Sequence, residues 1–142
     1  MGLSYLIKVA NYCEIKYGSK EDEVEPKEFW KLYLKVLSET EEAMDSYLNE
    51  KAETLSSDVK RAIGTIFKIK NDYLKRPGTF KDLLMSERGI KDRIVLVIEN
   101  LDKDQDSELL NPLRRLETYT KKLINNIHLI DLLDKEEIKK LL

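Results

Sequence analysis

The clearest alternation of apolar and polar positions runs from Leu55 to Arg76, LSSDVKRAIGTIFKIKNDYLKR. At about 100° per residue, Val59, Ala62, Ile63, Ile66, Phe67, Ile69, Tyr73 and Leu74 fall on one broad face, and Arg61, Lys68 and Lys75 line the opposite one. The pattern predicts an amphipathic helix around which the rest of the chain is organised. Ser56 or Ser57 is placed to cap its start, with Asp58 in the first turn where the helix dipole favours an acid. Arg76-Pro77-Gly78 is expected to stop it. Two positions break the pattern. Lys70 lies inside the apolar arc, so its ammonium must either snorkel to water or pair with a carboxylate at a helix–helix or subunit contact. Gly64 weakens the helix relative to Ala, and is either tolerated there or leaves room for a partner's backbone.

The same periodicity recurs elsewhere. Ser4 to Tyr17 carries Leu6, Ile7, Ala10 and Cys13 on one face, with Gly18 as the residue after the helix. Ser19 to Glu25 is an acidic connector, and Pro26 opens a helix to about Asn49 with the stripe Phe29, Leu32, Tyr33, Val36, Leu37, Met44, Tyr47 and Leu48. Pro77-Gly78-Thr79 reads as a loop, Phe80 to Met85 as a short apolar turn or helix, and Ser86 as the cap of a helix carrying Ile90, Ile94, Val97, Ile98 and Leu101. The run Ile94 to Ile98 also suits a buried strand; helix is preferred because no second strand of similar quality exists to pair with it. Asp102 to Ser107 is an acidic loop. Asn111-Pro112 restarts a helix whose stripe of Leu113, Leu116, Tyr119, Leu123, Ile124 and Ile127 continues to about Leu133. Asp134 with Glu137 resembles a capping box opening a last short helix to Leu142. The expected fold is therefore all-α, a bundle of five to six helices forming one domain over residues 1–142, with 109–142 readable as a small C-terminal helical extension.

Composition agrees with a folded body: 42% of the 142 residues are apolar and 37% charged. Many Lys and Glu against a single Gln is a bias seen in thermophile proteins. With one Cys and one His, neither an internal disulfide nor a zinc set is available. No leader pattern and no long apolar run is evident, so a cytoplasmic protein without a membrane span is expected. The net charge of −2 conceals a division. Residues 19–58 hold 12 acids and 5 bases, a net of −7, and residues 59–93 hold 10 bases and 4 acids, a net of +6. Either two solvated faces of opposite sign pack near each other, or the basic block presents a cationic surface to phosphate or to an acidic partner.

Candidate chemistry is sparse. Cys13 reads as small core filling and His128, beside apolar residues, as a structural histidine. DKDQDS lacks the Gly and closing Glu of an EF-hand loop. No Gly-rich phosphate loop occurs, and one His with one Cys builds no nucleophile arrangement. An enzyme is not expected, nor a metal or other cofactor. The residues left to carry function are those that touch other molecules. Arg61, Lys68, Lys75, Arg76, Arg114, Arg115 and Lys121 are candidates for nucleic acid or an acidic partner. Phe29, Trp30, Tyr33 and Lys70 are candidates for a protein interface, although such an aromatic cluster is more often core.

Three segments carry a resemblance. VEPKEFWKLYLKVL (24–37) is similar to the acidic lead-in, proline and aromatic pair that open a helix in the helical domain of GINS replication-complex subunits. VKRAIGTIFKIKNDYL (59–74) resembles that family's long helix, with Ile66, Phe67, Ile69 and Lys70 in its apolar-basic stretch. LLMSERGIKDRIVLVI (83–98) resembles the leucine–glutamate motif opening its next helix. Asn71 and Asp72 stand where the family carries Arg and Lys, and 109–142 reads as helix where it carries a small β-rich domain. The resemblance implies a non-catalytic scaffold subunit of a heteromeric complex. The segment 55–74 also looks like a helix of the small all-helical subunits of type III CRISPR effector complexes, which line an RNA–target duplex; Arg114, Arg115 and Tyr119 loosely echo that family's later basic-aromatic motif. A free-standing helical dimer of viral or regulatory type is the third reading. Other protein subunits are the expected partners, with oligomer formation and only weak intrinsic affinity for nucleic acid. Duplex lining requires Arg61, Lys68, Lys75 and Arg76 to share one open surface with Arg114 and Lys121.

Overall fold

Helix-forming stretches with one apolar face account for the architecture seen in the computed structural model, which describes residues 25–102 and 108–142. Among these there is no strand, and seven α-helices follow in order: α1 (Pro26–Lys51), α2 (Ser57–Asn71), α3 (Pro77–Met85), α4 (Ile90–Asp102), α5 (Leu110–Asn125), α6 (His128–Asp131) and α7 (Glu136–Lys139). Short 3₁₀ turns, Ala52–Thr54 and Tyr73–Lys75, follow α1 and α2. The segment Ser4–Tyr17 with Cys13, most of the acidic connector and most of the Asp102–Ser107 loop lie outside the described residues.

Four helices form a ring. α2 packs against α1 and α4, and α5 packs against α4 and α1, so α2 and α5 occupy opposite corners. Lys70 meets Ser38 and Asn71 meets Glu41 across a hairpin that turns at residues 52–56, so α1 and α2 are antiparallel. α3 covers one end, against α4, α5 and α6. One core runs through the ring, built from Phe29, Trp30 and Leu37 of α1, Ile63, Ile66 and Ile69 of α2, Ile94 and Val97 of α4, and Leu113, Leu116 and Leu123 of α5.

The ends of the helices follow from local chemistry. Pro26 occupies the first turn of α1, and the Glu25 carboxylate accepts from the Glu28 N–H at 2.8 Å and the Lys27 N–H at 3.3 Å. Ser56, rather than Ser57, caps α2: its Oγ accepts from the Val59 N–H at 3.3 Å. Residues 94–98 are helical, so the side chains of Ile94, Val97 and Ile98 go into the core from one face.

Several expectations at element ends are corrected. α2 stops at Asn71, whose side-chain amide donates back to the Phe67 carbonyl. Pro77-Gly78-Thr79 is the first turn of α3 rather than a loop, because a proline that ends one helix is equally suited to begin the next. Ser86 closes α3 and does not cap α4; its Oγ donates to the Leu83 carbonyl, and Asp92 of α4 accepts from the Arg88 N–H at 3.0 Å. Arg88 is left-handed there, with φ 57°. Gly89 cannot be larger, since a Cβ would meet the Leu83 carbonyl at 2.0 Å. The helix after Asn111-Pro112 does not reach Leu133: it breaks at Asn126 (φ −133°, ψ 58°) and restarts as α6. α7 begins after Lys135 with no side-chain cap, so Asp134 and Glu137 form no capping box. Leu32, expected in the α1 stripe, is 40% exposed, and its place is taken by Trp30 and Thr40. His128 is exposed at the start of α6.

Candidate interaction surfaces

The aromatic cluster of α1 is core, and its reading as a partner interface is corrected. Phe29, Trp30 and Tyr33 are 0–1% exposed. Phe29 stacks on Tyr33 at 5.8 Å between ring centroids and meets Trp30 edge-on at 5.4 Å and Tyr119 of α5 edge-on at 5.7 Å. The Trp30 indole N–H donates to the Leu129 carbonyl at 3.2 Å, tying the start of α1 to α6. These rings cannot face a partner because the α5 and α6 segments already cover them. Burial pushes the Tyr33 hydroxyl well above its ordinary pKa; the nearby Thr120 hydroxyl opposes this only in part. The two hydroxyls approach each other without the geometry of a full hydrogen bond, and neither has another partner.

Lys70 is held within its own chain. Its Nζ donates to Ser38 Oγ of α1 at 2.8 Å, so it meets a neighbouring helix through a hydroxyl and not through the carboxylate pair the sequence suggested. The Lys70 charge also acts on Glu41, whose carboxyl is nevertheless raised above its ordinary value, chiefly by partial burial and secondarily by Asp45. Gly64 has nothing within 4 Å of where a Cβ would stand, so no backbone among the described residues uses the space it leaves.

The cationic candidates divide into two groups. Arg61, Lys68, Lys75 and Arg76 are exposed along α2 and the turn after it. Arg61 reaches Asp58 at 3.8 Å and Arg76 is bridged to Asp72, both local pairs. Arg61 also borders a groove of about 500 Å³ between α2 and α4, where Arg88 and Arg93 stand among Asp58, Asp92 and Glu99. Arg114, Arg115 and Lys121 lie on α5, at the opposite corner of the ring. Arg115 binds Glu39 of α1 at 3.1 Å, and Lys121 binds Glu117 at 3.4 Å. Arg115 stands over a groove of about 880 Å³ bordered by Glu39, Glu42, Glu50 and Glu108. Duplex lining calls for one open surface shared by these groups, and the two helices that carry most of them are not adjacent in the ring.

Arg88 and Arg93 are residues that sequence reasoning missed: they join Arg61 only through the turn between α3 and α4. Lys31 and Lys35 are others, converging on Lys70. Their spacing with Ser38 along one face of α1 was a signal available in the sequence. No cluster of three or more His, Cys, Asp or Glu side chains suited to a metal ion occurs among the described residues. No helix among them is long and apolar enough to cross a membrane. What these surfaces offer chemically is a mainly acidic groove between α1 and α5 and, across the ring, a groove of mixed charge beside the exposed Lys and Arg of α2.

No family model, curated protein or solved structure gives a significant match to the chain.

Proposed function

We propose that this protein is a non-catalytic interaction subunit, a helical scaffold within an assembly that handles nucleic acid, of the kind the GINS-like segments 24–37, 59–74 and 83–98 imply. The observation that carries the reading is the contrast in charge between two corners of the ring. An acidic groove runs between α1 and α5, and basic side chains edge α2 at the far corner. Such a body engages two partners of opposite charge at once, which favours specificity and register over catalysis. The α5 cations are already engaged inside the chain by Glu39 and Glu117, which supports protein contact over phosphate tracking.

A second reading, a nucleic-acid-lining subunit of a CRISPR effector complex, is favoured by one observation: Arg61, Arg88 and Arg93 border one groove. Fluorescence anisotropy at about 0.15 M salt with single-stranded RNA and duplex DNA separates the two. The scaffold reading expects binding no tighter than the non-specific range of about 1–100 µM. Sub-micromolar binding abolished by Arg61→Glu with Lys68→Glu would overturn it. Identification of the subunits that co-purify with the native protein then assigns the assembly, since replication and RNA-guided partners differ.

A further inference from the structure

A hollow on the outer side of the α1–α2 pair brings lysines of two helices together. Lys31, Lys35 and Ser38 lie four and then three residues apart, on one face of α1. Lys70 enters from α2, and its Nζ is fixed by donating to Ser38 Oγ at 2.8 Å. The hollow encloses about 280 Å³, and Leu34, Leu141 and Leu142 supply its apolar wall. Among the described residues no carboxylate lies within ion-pair distance of Lys31, Lys35 or Lys70, in contrast to Lys81 and Lys121, and the Glu41 carboxylate acts on Lys70 only from beyond that distance. Lys31 and Lys35, exposed beside the held Lys70, add like charge around a partly apolar hollow, and the repulsion among them is relieved when an anion enters.

We infer that Lys31, Lys35, Lys70 and Ser38 form a binding site for a single phosphomonoester group. The choice of anion follows from the donors. Ser38 accepts from Lys70 and so keeps its own hydroxyl proton to give; with three ammonium groups it supplies donors from several directions, which matches the several oxygens of a phosphoryl group better than the two of a carboxylate. The donors border one small hollow and not an extended track, which suits a terminal, doubly charged phosphate better than a run of diesters. The hollow is smaller than the ~300–1,000 Å³ of sites that enclose a drug-sized ligand, so the phosphoryl group is held and whatever it is attached to extends outward. The site lies apart from the grooves of Arg61 and Arg115, and the inference does not depend on the scaffold reading.

The test is isothermal titration of the full chain at low ionic strength, where screening is slight, with inorganic phosphate, adenosine monophosphate and acetate as probes. Phosphate and adenosine monophosphate are expected to bind at about 1 mM or tighter, and Lys31→Gln with Lys35→Gln to weaken them by about tenfold or more. Both lysines are exposed, so the double variant keeps its fold, which circular dichroism checks. The charge-matched variant Lys68→Gln with Lys75→Gln is expected to bind as the parent does. A further pair of probes, one oligonucleotide with and without a 5′ phosphate, distinguishes the source: preference for the phosphorylated strand supports the site with a strand end as its ligand, and preference for the small probes supports it with a soluble metabolite. Acetate binding as well as phosphate, equal losses in the two double variants, or no phosphate binding in the parent would each overturn the inference.

Discussion

α2 and α5 carry the same sequence pattern, an apolar stripe backed by Lys and Arg, and use it differently. The buried face of α2 is wholly apolar: Val59, Ala62, Ile63, Ile66 and Ile69. That of α5 includes Thr120, set beside the Tyr33 hydroxyl without a hydrogen-bond partner. Outside, α2 and the turn after it leave Lys68 and Lys75 to water, while α5 lends Arg115 to Glu39 of the neighbouring helix. The difference teaches that an amphipathic pattern fixes which side of a helix is buried and says nothing of what its charged side will meet.

The largest effects should separate the two buried faces. Ile66→Ala removes a fully buried side chain from the apolar face of α2 and is expected to lower unfolding free energy by about 2–5 kcal/mol. Thr120→Val, which replaces an unpartnered buried hydroxyl with a methyl of like shape, should be neutral or stabilising. Denaturant titration reads both, and a loss at Thr120 as large as that at Ile66 would erase the distinction. Next comes the start of each helix. Ser56→Ala deletes the side-chain bond that caps the start of α2, with an expected loss of about 1 kcal/mol, whereas the residue at the equivalent position of α5, Leu109, has no side chain able to make one.

Much of this contrast was legible in the sequence, and the reasons are particular. The α2 stripe is seen because a helical period imposes itself over four turns, and 94–98 is resolved as helix because no partner strand exists. Pro77 was misread because its stereochemistry serves a helix end and a helix start alike. Leu32 and Trp30 lie at opposite edges of the α1 stripe, about 200° apart, and it is the packing of α6, with the Leu129 carbonyl 99 residues on, that buries Trp30. The break at Asn126 leaves the apolar spacing nearly unchanged, so periodicity runs through it. Whether Arg61 and Arg114 share a surface is a matter of corner order in the ring, which no local pattern encodes.

Smaller effects sharpen the outer faces. Arg115→Gln should lose up to about 1 kcal/mol at low salt, and less as salt is added, because a half-exposed ion pair is screened. Lys68→Gln should stay within about 0.5 kcal/mol of the parent at any salt. Smallest is the pH dependence at Glu41. Its pKa is raised in the folded chain, so folding favours the protonated acid, and its contribution falls as pH rises from the unfolded value through the folded one. Glu41→Gln should therefore raise the melting temperature slightly at pH 7, and the gain should vanish once the pH is below the ordinary carboxylate value. A variant less stable than the parent at pH 7 would mean that the Lys70 charge outweighs burial.

The account rests on α2 as the helix about which the ring closes, and native-state hydrogen exchange tests that most directly. The amides of Ala62 to Ile69 should open only with global unfolding, while those of α7 exchange far sooner. Exchange in α2 as fast as in α7 would contradict it.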